Sequence, residues 1–128
     1  MNINSLIIEA IRRPEKVKDV FYDADPESRA AAFKLMRHVS THDIHAGLDD
    51  QDEDVRHAAI LHPNVNLSHL KKALNDPDIY VRSAAIQHPN IPVRWLLKIA
   101  NAPAGNDIDE SSVYLKHVAQ SVLDGTPL

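Results

Sequence analysis

The side chains with chemistry to offer in this sequence are eight histidines and a regular set of arginines and aspartates. His38, His42 and His45 stand at i, i+4 and i+7, which would align three imidazoles on one helix face, and imidazole suits zinc. Ser40 and Thr41, however, read as a helix cap before Asp43, so a helix boundary divides the set. No His-Glu-x-x-His pattern exists to support a metal either, and no metal or cofactor is expected. Cysteine is absent, which excludes disulfides, thiolate nucleophiles, iron–sulfur clusters and cysteine zinc sites, and fits a reducing compartment. There is no G-x-S-x-G and no Gly-rich phosphate loop, and three glycines leave little room for a cradle of backbone amides. The chain reads as a protein without catalytic activity.

The remaining polar residues matter because they recur. Arg56 and Arg82 each follow a valine in matching contexts, and His62-Pro63-Asn64 returns as His88-Pro89-Asn90. A column of arginines can grip phosphate or carboxylate, yet here it is read as a structural ladder. Asp52, Asp54, Asp76 and Asp78 are placed to pair with it across neighbouring units. In the His-Pro-Asn segments Asn caps helices and histidine can bond a free carbonyl, so turn chemistry explains the pattern. His62, Asn64, His88 and Asn90 along one edge would also make a recognition ridge. Trp95, the only tryptophan, lies in Val93-Arg94-Trp95-Leu96, and Trp and Arg are typical interface anchors. Its counterpart one repeat earlier is His69, a polar residue, which argues that position 95 is not fully core. The acidic run Asp49–Asp54 reads as a solvated turn whose carboxylates favour a helix N-terminus, or alternatively as a surface for a basic partner or a phosphate mimic.

The elements that must position these groups come from internal repetition. DEDVRHAAILHPNVNLSHLKKALND, from Asp52, and DIYVRSAAIQHPNIPVRWLLKIANA, from Asp78, align at an offset of 26 residues without a gap. Val55, Arg56, Ala58, Ala59, Ile60, His62, Pro63, Asn64 and Leu70 recur as Val81, Arg82, Ala84, Ala85, Ile86, His88, Pro89, Asn90 and Leu96. Weaker copies flank them. Asp25–Phe33 (DPESRAAAF) echoes DPDIYVRSAAI with two residues missing, and Tyr114, Leu115, Lys116 and Ala119 mirror Tyr80, Val81, Arg82 and Ala85 beyond an insertion at 101–109. Val55, Ala58, Ala59 and His62 fall on one face of a helix, Pro63 stops it, and a second short helix carries Leu67, Leu70, Ala73 and Leu74. Asp76 and Pro77 read as N-cap and first helical residue of the next unit, and Pro92 as tolerable in a first turn. Period-two alternation is missing, so strands are not expected.

The expected architecture is therefore all-α: a short right-handed α-solenoid of about four two-helix repeats. One domain spans 1–128, with clear repeats at 52–77 and 78–103 and degenerate capping repeats at 1–51 and 104–124. Hydrophobic residues at 44% and charged residues at 25% suit a globular chain of this kind. The pattern D-x-x-V-R-x-x-A-A-x-x-H-P-N-x-x-x-x-x-L resembles the leucine-rich repeat variant family and, more loosely, HEAT and HEAT-like lyase repeats. The residues carrying it are Val55–Arg56, Ala58–Ala59, Pro63 and Leu70, and again Val81–Arg82, Ala84–Ala85, Pro89 and Leu96. The resemblance, over residues 25–122, implies a right-handed superhelix with a role in protein interaction. The period is short beside HEAT units of about 40–47 residues and closer to the variant repeats.

Charge narrows the partner. The net value is −4, but residues 55–100 hold six basic groups against two acidic ones. The leading expectation is a non-catalytic protein–protein interaction module, an adaptor, scaffold or inhibitor, binding through Trp95, Arg94 and the His62/His88 edge. Nucleic-acid binding through the central basic section, with Lys71, Lys72, Arg94 and Lys98, is the alternative, weakened by the overall acidity. A subunit of a HEAT-like lyase is a further alternative, resting on fold analogy. The run Met1–Ile11 is too short to span a bilayer and lacks a signal-peptide pattern, so it reads as a first helix of a cytoplasmic protein without membrane contact. The expected state is monomer or homodimer, with Leu6, Ile7, Ile8, Val118 and Val122 as flanks for end-to-end pairing.

Overall fold

The computed structural model describes residues 8, 12–13, 17–23, 25–103 and 110–128. Among them all regular structure is helical: α1 (Val17–Phe21), α2 (Pro26–Leu35), α3 (Thr41–Leu48), α4 (Glu53–Ile60), α5 (Leu67–Leu74), α6 (Ile79–Gln87), α7 (Val93–Ala100) and α8 (Glu110–Asp124). The expected first helix at Met1–Ile11 lies almost wholly outside the described residues, as does 104–109 of the expected insertion. No helix among the described residues is long and apolar enough to cross a membrane.

Short helices of eight to ten residues are marginal alone, so their ends and buried faces must hold them. The ends are capped by side chains. Asp25, Asp52 and Asp78 accept backbone N–H bonds at the starts of α2, α4 and α6, and Ser40 does so for α3. Asn66 caps α5 in a reciprocal box with His69. Two expected boundaries need correction. Asp78, not Asp76, is the N-cap of α6, because Asp76 is drawn off to bind an arginine. Pro92 occupies the N-cap of α7 rather than its first turn, and no side chain caps that helix.

The even-numbered helices pack in a row, with the others laid against it. α2 lies on α4, α4 on α6 and α6 on α8; α3 lies on α5, while α3, α5 and α7 each pack on the helix that follows. The repeated alanine pairs explain the close packing within that row. Ala58, Ala59, Ala84 and Ala85 are buried beside Val55, Ile60, Val81 and Ile86, and a methyl side chain lets two backbones approach. Gly47 serves the same end where α3 meets α2 and α4: a Cβ there would lie 2.5 Å from Phe33 Cζ and 2.9 Å from Ala59 Cβ. Gly125, at φ +70°, supplies the left-handed residue just beyond α8.

One expectation about assembly fails. Val118 is fully buried and Val122 packs against the core, so neither offers an apolar flank to a second copy. The exposed apolar residues of α8 are Val113 and Tyr114, near its start. Leu6 and Ile7 lie outside the described residues, and Ile8 is exposed.

Candidate functional site

The recurring arginines and aspartates form a continuous ladder. Arg29 grips Asp50 with two bonds, Nε to Oδ2 at 2.8 Å and Nη2 to Oδ1 at 3.1 Å. Arg56 Nε donates to Asp76 Oδ2 at 2.9 Å. Each arginine also reaches back six residues with Nη1: Arg29 to the Asp23 carbonyl, Arg56 to that of Asp50, Arg82 to that of Asp76. The aspartates do a second job, since Asp23, Asp50 and Asp76 accept the N–H of Asp25, Asp52 and Asp78 through Oδ1. Burial alone would raise the Asp50 pKa. The bond from Arg29, the Asp52 N–H and the charges of Arg29 and Arg56 outweigh it and hold the carboxyl below its ordinary value. The ladder thus joins Arg29, Asp50, Arg56, Asp76 and Arg82.

Its third rung is incomplete. Arg82 Nε is buried with no hydrogen-bond partner. Asp76 stands 20 residues after Arg56, and the residue 20 after Arg82 is Ala102, whose methyl has no acceptor.

The histidines form a second ladder. His62, His69 and His88 are only 3%, 2% and 4% exposed. In each, Nδ1 accepts a backbone N–H, from Asn64, Asn66 and Asn90 respectively, at 3.0–3.1 Å. A ring nitrogen that accepts is unprotonated, so the neutral imidazole carries its proton on Nε2. Nε2 then donates to the preceding unit: His62 to the Met36 carbonyl at 3.0 Å, His69 to Thr41 at 3.0 Å, His88 to His62 at 2.9 Å. Asn64 and Asn90 add amide bonds to the Val39 and Val65 carbonyls. The His69 pKa is lowered, first by burial and further by nearby His45, against the raising effect of the Thr41 bond.

These positions revise the recognition ridge. His62 and His88 are buried staples between units and present no edge to a partner, whereas Asn64 and Asn90 are exposed, each with its amide bonded to a carbonyl of the preceding unit. His69 is likewise buried, so its polarity does not argue for exposure at the matching position 95. Trp95 is half-buried and packs against the core. Asp52 and Asp78 do not pair with Arg56 or Arg82; they cap helices. His38, His42 and His45 are exposed, with α3 beginning only at Thr41, and no group of three metal-binding side chains occurs among the described residues.

Open surface with recognition character remains on α5 and α7. Arg94, Lys98 and Lys71 are exposed, and Lys72 reaches the exposed Asp49. The same two helices also expose Val93, Leu97 and Leu67, at 62%, 47% and 46%. Residues 67, 68, 71 and 72 match 93, 94, 97 and 98 at the 26-residue offset, so both helices turn the same register positions outward. On α7 these four positions form one stripe, an apolar side chain beside a cation in each turn. No family model, no curated protein and no solved structure matches the chain.

Reading the sequence missed Arg29, Asp23 and Asp50 as ladder members. The signal was present: Asp-x-Asp-x-x-x-Arg occurs at 23–29, 50–56 and 76–82. Aligning Asp25 with Asp76 instead of Asp78 introduced a false deletion and hid it. Leu67 and Leu97 were missed because an exposed leucine beside a buried one, Leu96 for instance, looks in sequence like a wider core face.

Proposed function

We propose that this chain is a short α-solenoid of HEAT-like or leucine-rich-repeat-variant type that acts as a non-catalytic protein-interaction module. Its partner docks on the outward face of α5 and α7. The observation that carries this reading is the exposure of Leu67 and Val93 at matching register positions and of Leu97 one turn after Val93, with Lys71, Arg94 and Lys98 exposed on the same helices. Aliphatic side chains held in water by otherwise well-packed helices favour a covering surface, and cations at their edge give it orientation. The Arg–Asp and His ladders supply a rigid support, because their polar groups are spent on joining units. Rigidity in the docking surface limits the ordering cost of binding.

The test uses Val93→Asp/Leu97→Asp, at two exposed positions. The variant should unfold at the wild-type temperature and lose a protein that wild type captures from native extract, with or without nuclease. Capture unaffected by the double substitution overturns the assignment of the face. Capture abolished by nuclease transfers the function to nucleic acid.

A further inference from the structure

We infer that the segment docking on the α5/α7 face is acidic, with apolar side chains interspersed among its carboxylates; this rests on the interaction-module reading above. The chain as a whole carries a net charge of −4. Helices α5 (LSHLKKAL) and α7 (VRWLLKIA) contain Lys71, Lys72, Arg94 and Lys98 and no carboxylate at all. The face therefore opposes the sign of its own molecule. Acidic residues are not scarce nearby in sequence: α2, α3 and α4 each have at least one. Lys72 is the one cation of the four with an ion pair among the described residues, to Asp49. Lys71, Arg94 and Lys98 have none and stand exposed. They are available to carboxylates from outside.

The apolar residues decide between two kinds of acidic partner. A phosphate backbone would engage the cations and leave Val93, Leu97 and Leu67 uncovered. Nucleic-acid bases would need flat stacking partners, and the one indole near the face, Trp95, packs against the core. A peptide that places leucine-like side chains between glutamates or aspartates covers the aliphatic stripe and neutralises the cations together. Such complementarity gives specificity and a salt-sensitive association rate.

The experiment titrates the full chain into three fluorescent probes: a short amphipathic Glu/Leu peptide, the same peptide with Gln for Glu, and a single-stranded oligothymidylate. Anisotropy should show the Glu/Leu peptide binding at least about ten-fold more tightly than its Gln/Leu counterpart, with affinity falling as salt rises. Arg94→Glu/Lys98→Glu should abolish that preference, and Val93→Ser/Leu97→Ser should weaken both peptides, with thermal unfolding unchanged in each variant. Equal binding of the two peptides overturns the acidic assignment and leaves the module reading standing. Binding of neither peptide does the same when Val93→Asp/Leu97→Asp still loses its captured protein. Tighter binding of the oligonucleotide overturns both.

Discussion

Ala102 is the position at which one substitution should complete the ladder. Arg29 and Arg56 each hold an aspartate through Nε, at 2.8 and 2.9 Å, with both partners largely shielded from water. Arg82 keeps the backbone anchor of the earlier rungs, its Nη1 bond to the Asp76 carbonyl, but its buried Nε has no acceptor. Ala102→Asp places a carboxylate at the register position of Asp76, on an exposed residue outside any helix. A charge-assisted hydrogen bond contributes about 1.5–3 kcal/mol net, and satisfying an orphaned donor adds to it. Ordering the new side chain and desolvating its charge oppose this by roughly 1 kcal/mol. The expected gain is about 1–2 kcal/mol, which for a domain of this size raises the unfolding midpoint by roughly 4–10 °C. Differential scanning calorimetry of wild type, Ala102→Asp, Arg82→Gln and the double variant measures it. The gain should vanish in the Arg82→Gln background, and Ala102→Asn should supply only a minor part. An unchanged midpoint in Ala102→Asp, or a rise that persists without Arg82, refutes the reasoning.

Gly47→Ala should destabilise the fold despite adding a better helix former, because the new methyl meets Phe33 and Ala59 inside contact distance. Overpacking costs about 1–3 kcal/mol against a propensity gain of about 1 kcal/mol; a raised midpoint in thermal melts would contradict this, and Phe33→Leu should relieve the loss. The folded-state pKa of His69 lies below the ordinary 6.5, so the stability it contributes is complete above pH 6.5 and is lost as pH falls through the folded value. Chemical denaturation at pH 7.5 and 5 should show a smaller acid loss in His69→Gln than in wild type, and equal losses would sink the assignment. Trp95→Ala should lower stability by about 2 kcal/mol, near half the cost of truncating a fully buried Trp, since the ring packs on the core. Unchanged thermal unfolding would instead return Trp95 to the list of exposed anchors.

Much of the helix plan was legible in the sequence. The 26-residue offset marks the clear pair of units, and the i, i+3, i+4, i+7 spacing of Val55, Ala58, Ala59 and His62 marks the face that is buried. Periodicity reports burial directly, because the same side chains must return to the same side of each helix. It reports polar partners poorly. Arg56 bonds a residue 20 positions away and His88 one 26 positions away, and many aspartates compete for either role on sequence grounds. The recognition residues suffered from the same gap. His62 and His88 looked like a ridge because they repeat, yet repetition at a joint between units looks identical to repetition on a surface.

Local chemistry belongs to the sequence. The all-helical character of the described residues, the Ser40 cap and the absence of thiol chemistry follow from residue types and spacings that act within a turn or two. Tertiary structure alone decided which polar groups were consumed. Stacking brings Met36, Thr41 and the His62 carbonyl to the three imidazoles, removes those histidines from water, and leaves Arg82 Nε without an acceptor among the described residues. The same stacking spends Leu96 on the core and turns Leu97 outward, although the two are adjacent leucines. Neighbouring positions on a helix differ by about 100° in direction, and only the arrangement of packed neighbours determines which direction meets protein and which meets solvent.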